Sequence, residues 1–396
     1  MINEQRLLDT FLELVQINSE SGNEQMIQSH LKSQFESLGL LVQEDNASKN
    51  ENLGANNLIC TLPATSNLDH IDKIYFTSHM DTVVPGLNVK PQIKDDGYIY
   101  SDGTTILGAD DKAGLAAILE CINVLKEQNI PHGQIQFVIT VSEESGLEGA
   151  KTLDQTLLDA NYGYAIDASV GVGTTVTHAP TQMKVNATIY GKSAHASTPS
   201  KGVSAINIAA KAVSEMKLGQ IDDYTTANIG RFEGGSATNI VADKVTLKAE
   251  ARSHSDKSIE SQVQHMKTVF EETAEKYGCT SEVEIIKSYP GFKIHDEATV
   301  TQVAKASATA LGLKPNTVLA GGGSDGNIIN QLGIPTVILG VGYENIHTTE
   351  ERMPINSLNL LTKQLLKIVE IITQQSTNWL SDYYYRFVIQ YTRKLK

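Results

Sequence analysis

The stretch Leu107-Gly108-Ala109-Asp110-Asp111-Lys112-Ala113-Gly114 places two adjacent acids at the start of a predicted amphipathic helix. The apolar residues that follow recur at the 3.6-residue period of a helix with one buried face: Leu115, Ile118, Leu119, Ile122 and Leu125. Acids in a first turn also occur simply because they complement the helix dipole. A functional role is favoured here because further acids and histidines follow predicted strands elsewhere in the chain.

Histidines and acids follow four of these predicted strands, which cover residues 73–77, 134–141, 162–166 and 335–340. The side chains concerned are His79 and Asp81, Glu143 and Glu144, Asp167, and His347. Taken singly, each of them also fits an ordinary surface turn. Because open α/β sheets place their sites at the carboxyl ends of the strands, we expect these side chains to converge with Asp110.

Imidazole and carboxylate groups in this number are typical of a two-metal centre. Three protein ligands and a water form the usual catalytic zinc site, so five ligands serve two metals if Asp110 bridges them. The two predicted sets are His79, Asp110, Asp167 and Asp110, Glu144, His347. A bridged pair about 3.5–4 Å apart suits hydrolysis, because both metals can hold one hydroxide and one polarised carbonyl oxygen. The absence of thiolate ligands favours two Zn²⁺ ions and leaves Mn²⁺ or Co²⁺ open.

Two further acids have predicted catalytic roles. Asp81 lies two residues after His79, so on an extended segment it points the same way and can accept the other ring N–H of that histidine. Glu143 is left without a metal, and its carboxylate can take a proton from the attacking water and pass it to the leaving amine. The chain has no H-E-x-x-H motif, which excludes a zincin fold.

The length of 396 residues is large for one core and predicts more than one domain. Between residues 179 and 292 the predicted order is β-α-β-β-α-β, the split arrangement of a ferredoxin-like α+β domain. We read it as an insertion into an α/β catalytic domain with a mixed, mostly parallel sheet between helices, which covers residues 1–178 and 293–375. A tail over residues 376–396 is expected to pack on the protein or to bind a partner.

Composition narrows the class of protein. A net charge of −14 argues against nucleic acid as a partner, because phosphate binding needs a basic face. The three cysteines form no C-x-x-C pair and are expected to be reduced thiols of a cytoplasmic protein. The N-terminus has no signal-peptide pattern, and no apolar run is long enough to span a bilayer, so we expect no membrane association.

In their order along the chain, these motifs resemble the co-catalytic zinc exopeptidases of the M20 type. The resemblance rests on His79-Met80-Asp81, residues 108–112, Glu143-Glu144-Ser145-Gly146, Asp167, the loop of His195, and His347. It covers nearly all of the chain to about residue 375. Within this family the sequence is most similar to the peptidase T-like branch, through residues 108–114 and 322–326 and through Gly342-Tyr343.

The resemblance implies more than the spacing does. It implies a zinc-exopeptidase-like catalytic domain whose inserted domain acts as a lid and mediates a homodimer. It also implies that His195 stabilises the oxyanion, within its own subunit or across the dimer, and that Asn239 and Arg252 bind the substrate. The peptide bond between Asp110 and Asp111 is expected to be cis.

These observations favour a metallo-exopeptidase that releases the N-terminal residue of short peptides such as tripeptides, through a metal-bridged hydroxide with Glu143 as general base. A carboxypeptidase or an N-acyl amino-acid deacylase on the same scaffold stays open, with Arg252 and Asn239 gripping a free carboxylate. An inactive dimeric binding protein also stays open, although Glu143 and the five ligands argue against it. The loop at Gly321 lacks the Gly-Lys-Ser/Thr of a phosphate loop.

Overall fold

The computed structural model describes the backbone of residues 1–393 and the side chains of residues 1–375. Its helices are α1 (Glu4–Gln16), α2 (Gln25–Ser37), α3 (Ala109–Glu127), α4 (Glu148–Lys151), α5 (Ala205–Glu215), α6 (Asp256–Lys276), α7 (Thr299–Ala310), α8 (Asp325–Gln331) and α9 (Ile355–Arg393). The predicted packing or partner role of residues 376–396 concerns side chains outside the described residues. Within the part of the chain that is described, no helix combines the length and apolarity needed to cross a membrane.

The strands alternate with these helices along the chain. They are β1 (Leu41–Glu44), β2 (Leu58–Leu62), β3 (Ile74–His79), β4 (Gln92–Ile93), β5 (Tyr98–Tyr100), β6 (Ile135–Thr140), β7 (Tyr162–Ala168), β8 (Thr174–Ala179), β9 (Thr181–Tyr190), β10 (Gly219–Asp222), β11 (Thr225–Gly234), β12 (Lys244–Ser253), β13 (Thr280–Tyr289), β14 (Phe292–Lys293), β15 (Asn316–Leu319), β16 (Thr336–Gly340) and β17 (Arg352–Pro354). The shortest of them, β4, β5 and β17, form a small separate sheet in the order β17-β5-β4. Strands of two or three residues carry no period-2 pattern, so the sequence did not predict these three.

The chain divides into two compact units. The first contains Met1–Thr177, Lys293–Ala320 and the chain from Ser324 on, and the second contains His178–Phe292 together with Gly321–Gly323. The glycine loop at Gly321–Gly323 is an addition to the second unit that the sequence did not indicate. The roles of the inserted segment as a lid and as a dimerisation domain stay predictions.

The first unit is built on a mixed sheet with the strand order β1-β2-β6-β3-β7-β16-β8-β14, and β15 pairs with β8. The central pairs β6–β3, β3–β7 and β7–β16 are parallel, which confirms the predicted mostly parallel sheet. Every residue of β3 and of β6 is buried, as expected for strands covered by helices on both faces. Phe76 lies opposite Phe137 and Tyr164 in the register, and its ring stacks on both, at 6.0 and 5.6 Å between centroids.

The parallel strands of this unit all run toward one edge of the sheet. His79 is the last residue of β3, Thr140 ends β6, Asp167 is the penultimate residue of β7, and Gly340 ends β16. Helix α3 begins with Asp110 in its first turn. The loops at the carboxyl ends of four neighbouring strands are therefore brought to one place, as the fold rule for such sheets predicts.

The start of α2 differs from the sequence interpretation. The pattern Ser21-Gly22-Asn23-Glu24 is typical of a capping box, but Glu24 is the N-cap residue and makes no side-chain cap hydrogen bond. The Ser21 hydroxyl donates instead to Asp81 at 2.6 Å, and Glu24 accepts hydrogen bonds from Ser142. This local pattern does not act as a capping box, because both side chains have long-range partners, which lie beside Glu143.

The second unit has its own antiparallel sheet, in the order β10-β11-β12-β9-β13. Helices α5 and α6 cover it and contribute buried residues such as Ile208, Val263 and Phe270 to a separate core. Removing the short edge strand β10 leaves the predicted β-α-β-β-α-β order. The sheet order and pairing of these four strands are those of a ferredoxin-like domain.

Candidate metal centre

The structure brings the five predicted ligands together in the first unit. The His79 Nε2 atom lies 3.1 Å from Asp110 Oδ1 and 3.6 Å from Asp167 Oδ1. The His347 Nε2 atom lies 2.9 Å from Glu144 Oε1 and 3.4 Å from Asp110 Oδ2. The two carboxylate oxygens of Asp110 therefore face different histidines, which is the arrangement expected of a bridging carboxylate.

The donor atoms fit divalent metal ions. Among the described residues, three groups of possible ligand atoms lie within 4.8 Å of one another: His79, Asp110, Asp167; Asp110, Glu144, His347; and His79, Glu143, Glu144. The first two groups are the two sets that the sequence predicts, and they share Asp110. Nitrogen and oxygen donors without sulfur suit Zn²⁺, Mn²⁺ or Co²⁺.

The charges of the cluster also call for cations. Burial raises the pKa of Glu143 and Glu144, and it raises the pKa of Asp167 to about 7. Burial opposes the charged form of His79, yet its hydrogen bonds to neighbouring carboxylates raise its pKa well above the usual range. Hydrogen bonds to Asp110 and Glu144 raise the pKa of His347 to about 10. The carboxylates thus attract positive charge, which the imidazoles of His79 and His347 supply in part.

Asp110 shows the opposite perturbation. Burial would raise the pKa of this carboxyl, but the two histidines that it contacts hold the pKa well below its usual range. Asp110 is therefore the carboxylate of the cluster that stays ionised most firmly. The peptide bond that joins it to Asp111 is cis, as the family resemblance implies.

Asp81 lies behind the cluster and is fully buried. The His79 Nδ1 atom is 3.0 Å from the carbonyl oxygen of Asp81 and 3.4 Å from its carboxylate. The same carboxylate accepts the backbone N–H groups of Glu143 and Glu144, at 2.9 and 3.2 Å. Asp81 is thus placed to orient His79, as the H-x-D spacing predicts, and it also fixes the backbone of both glutamates.

The two adjacent glutamates have different surroundings. Glu144 contacts His347, whereas no described hydrogen bond or ion pair holds the Glu143 carboxylate. Glu143 is only 8% exposed, and the neighbouring charge of Asp167 adds to burial in raising its pKa. A buried carboxylate of raised pKa that has no fixed partner is well suited to accept and release a proton.

Three residues of the site were not predicted as functional. Thr140 donates a hydrogen bond to one oxygen of the buried Asp325 carboxylate, whose other oxygen has no hydrogen-bond partner among the described residues. Burial raises the pKa of Asp325 to about 6. Tyr343 donates to Asp167 at 3.3 Å. In the sequence, Asp325 and Tyr343 are marked only by the glycines beside them. Glycines next to a predicted helix or strand are typical of turns, so they did not indicate a functional role.

His195 and Asn239 lie side by side in the second unit. His195 forms an isolated β-bridge with Ile240, and the carbonyl oxygen of Asn239 accepts the N–H of the residue after His195 at 2.9 Å. The His195 Nδ1 atom lies 2.7 Å from the Ser197 hydroxyl oxygen. The predicted oxyanion role of His195 and the predicted substrate contact of Asn239 stay predictions.

Arg252 also belongs to the second unit, near the end of β12. Its Nε donates to Glu250 at 2.8 Å, and its Nη1 donates to the carbonyl oxygen of Gly321 at 3.3 Å. Through this second bond Arg252 contacts the loop Gly321–Gly323, which belongs to the same unit. The predicted substrate contact of Arg252 is not tested by these bonds.

The sequence model of peptidase family M20/M25/M40 matches residues 75–371, and the chain belongs to this family. A solved tripeptidase from Staphylococcus aureus is 67% identical, with 94% of this chain and 100% of that chain covered and a TM-score of 0.91. The aminopeptidase PepT from Bacillus cereus is 56% identical, with 94% and 99% covered and a TM-score of 0.85. Peptidase T of Escherichia fergusonii is 28% identical over 422 residues, with 94% and 100% covered.

Proposed function

We propose that this protein is a two-metal exopeptidase that acts as an aminopeptidase and releases the N-terminal residue of short peptides such as tripeptides. The observation that carries the proposal is the pair of ligand sets that share Asp110, with the carboxylate of Glu143, which has no described hydrogen bond or ion pair, beside them. The similarity to a tripeptidase and to an aminopeptidase over nearly the whole chain supports the choice of substrate.

In this proposal His79, Asp110 and Asp167 hold one ion, and Asp110, Glu144 and His347 hold the other. Zn²⁺ is the ion that the donor set favours, with Mn²⁺ or Co²⁺ as alternatives. When bound, such ions acidify a water and polarise the scissile carbonyl.

The side chains of the protein supply the proton transfers and the alignment. Glu143 accepts the proton of the attacking water and returns it to the departing amine, a role that its raised pKa favours. Asp81 fixes the orientation of the His79 ring and the position of the Glu143 backbone. His195 donates a hydrogen bond to the oxyanion, and Asn239 and Arg252 contact the substrate.

The assembly and the compartment are parts of the same proposal. The inserted domain acts as a lid and mediates a homodimer, as the family resemblance implies. The protein works in the cytoplasm, which is consistent with its free thiols Cys60, Cys121 and Cys279. Its partners are peptides, and its net charge of −14 opposes nucleic acid binding.

The test compares one free tripeptide with its N-acetylated and C-amidated forms, on protein loaded with Zn²⁺, Mn²⁺ or Co²⁺ and with Glu143→Gln as the blank. Cleavage of the free and amidated forms, but not of the acetylated form, is the expected result. Cleavage that survives acetylation and requires the free carboxylate would move the assignment to a carboxypeptidase or deacylase. No turnover of any form, with metal bound, would mean that the family is right about the fold and that the proposed substrate is wrong. A purified protein that holds no metal would favour the binding protein.

A further inference from the structure

Glu351 is a buried acid that the proposed mechanism does not use. Glu351 is only 1% exposed, and both of its carboxylate oxygens accept hydrogen bonds from backbone N–H groups. Oε2 accepts the N–H groups of Leu107 and Gly108, each at 2.8 Å, and Oε1 accepts the N–H of Asp110 at 3.0 Å. Three backbone N–H groups thus donate to one buried carboxylate, and hydrogen bonds to a charged acceptor are strong.

These three N–H groups need an external acceptor. Asp110 lies in the first turn of α3, where backbone amides have no intrahelical partners, and the N-cap residue Gly108 has no side chain to cap them. Leu107 and Gly108 lie in the turn just before the helix. Gly108 has a φ of +77°, so the chain reverses at this point in a conformation that favours glycine. A carboxylate from elsewhere in the chain is therefore required to satisfy and fix this turn.

The loop that carries Glu351 also carries His347. The loop is closed at its base by two backbone hydrogen bonds of 3.0 Å between Glu344 and Arg352, and Arg352 Nε donates to the Glu344 carboxylate at 2.7 Å. Within it, the N–H of Glu351 donates to the carbonyl oxygen of Thr348 at 3.1 Å. One closed loop thus presents an imidazole to the Asp110 carboxylate and a carboxylate to the Asp110 backbone.

A cation compensates part of the cost of burying Glu351. Lys112 is 1% exposed and its Nζ donates to the Ile17 carbonyl oxygen at 3.1 Å. Burial lowers the pKa of this amine to about 7, and the charges of Glu351 and Asp81 oppose that shift. Lys112 thus supplies a partial positive charge to two buried carboxylates that hold backbone groups of the site, those of Asp81 and Glu351.

We propose that Glu351 is a positioning residue, which clamps the turn before α3 so that the Asp110 carboxylate is aligned with His347 for bridging two metal ions. The inference rests on the proposed function, because it assumes that Asp110 and His347 are metal ligands. Glu351 itself touches neither the substrate nor the ligand atoms. Its effect is to fix the backbone that carries the shared ligand.

The test is Glu351→Gln, with Glu350→Gln as the matched control, because Glu350 is the preceding residue and is exposed. A glutamine offers one acceptor oxygen in place of two, so it cannot hold all three amides. We expect the dissociation constant of the more weakly held Zn²⁺ to rise about 10- to 100-fold in a chelator competition, the typical cost of losing an outer-shell partner. We also expect kcat to fall at saturating metal with KM unchanged, and the visible spectrum of the Co²⁺-loaded protein to change.

Glu351→Asp keeps both oxygens on a shorter side chain, and its metal affinity and kcat should fall between those of the wild type and of Glu351→Gln. If Glu351→Gln does not fold, as judged by circular dichroism and gel filtration, Glu351→Asp takes its place, and wild-type values for this variant overturn the proposal. Wild-type metal affinity, kcat and Co²⁺ spectrum in a folded Glu351→Gln also overturn it. A wild-type protein that binds no second metal would instead refute the proposed function, so the two failures are distinguishable.

Discussion

The most informative perturbation of the site is Glu143→Gln, which replaces one carboxylate oxygen with an amide of nearly the same size. No described hydrogen bond or ion pair holds the Glu143 side chain, so the exchange breaks none of those that the structure describes. Its backbone N–H, which donates to Asp81 at 2.9 Å, is unaffected. The substitution therefore removes the ability to carry a proton and leaves the position of the ligands intact.

The expected loss follows from that single function. Removing a general base costs about 10²- to 10⁴-fold in turnover, which corresponds to about 2.7–5.4 kcal/mol of transition-state stabilisation. The free energy of unfolding should increase, although turnover falls. Burial and the charge of Asp167 raise the pKa of Glu143, so the ionised carboxylate is unfavourable in the folded protein, and a neutral amide relieves that cost.

The assay measures kcat and KM on a free tripeptide, bound metal by elemental analysis, and the thermal midpoint of the metal-free protein. We expect low kcat, two metals per chain and a midpoint at or above that of the wild type. Glu148→Gln, on the same segment but paired with Lys151, is the matched control and should keep wild-type turnover. Loss of metal from Glu143→Gln would refute the reasoning, since His79, Glu143 and Glu144 also form a possible ligand group and Glu143 would then be a ligand.

Three further predictions concern other parts of the site. Asp110→Asn should lose both bound metal, measured by elemental analysis, and turnover, because one oxygen faces each ligand set. His195→Ala should keep its metal and lose about 10²- to 10³-fold in kcat if its hydrogen bond stabilises the oxyanion, and unchanged kcat would remove it from the mechanism. The chelated protein should lose about 1 kcal/mol of unfolding free energy between pH 6 and 8 through Asp167, in denaturant titrations. At pH 6 the folded carboxyl, with a pKa of about 7, keeps a proton that the unfolded chain has lost, so stability falls as the pH rises through 7; metal-loaded protein should not show this fall.

The ligands could be predicted from the sequence because their chemistry and their position coincide. These residues lie at the end of a strand with a clear apolar pattern, or in the loop after it, and such strands end at one edge of the sheet: His79, Glu144, Asp167 and His347. Histidine and acidic side chains that are grouped at one edge of a sheet are rarely needed for folding. The order of the predicted strands therefore indicated which side chains lie close together, which a single motif cannot do.

The supporting residues could not be predicted in this way. Ser21 and Glu24 match a local capping signature, yet their partners are 60 and 118 residues away in the chain. Glu351 follows another glutamate, a pattern typical of a solvated loop, and its amide partners lie 241 to 244 residues earlier. A local sequence pattern shows which nearby groups a side chain could bind by hydrogen bonds. The tertiary fold determines which groups it binds in fact.

The wide spacing of the ligands has a consequence for the synthesis of the protein. The first ligand in the chain is His79 and the last is His347, and the strand that leads to His347 pairs with β7 in the middle of the sheet. A growing chain on the ribosome therefore lacks one of the two candidate ligand sets, and part of its central sheet, until most of its length has been translated. If both sets are needed for turnover, as the proposed function requires, an incomplete chain cannot cleave peptides.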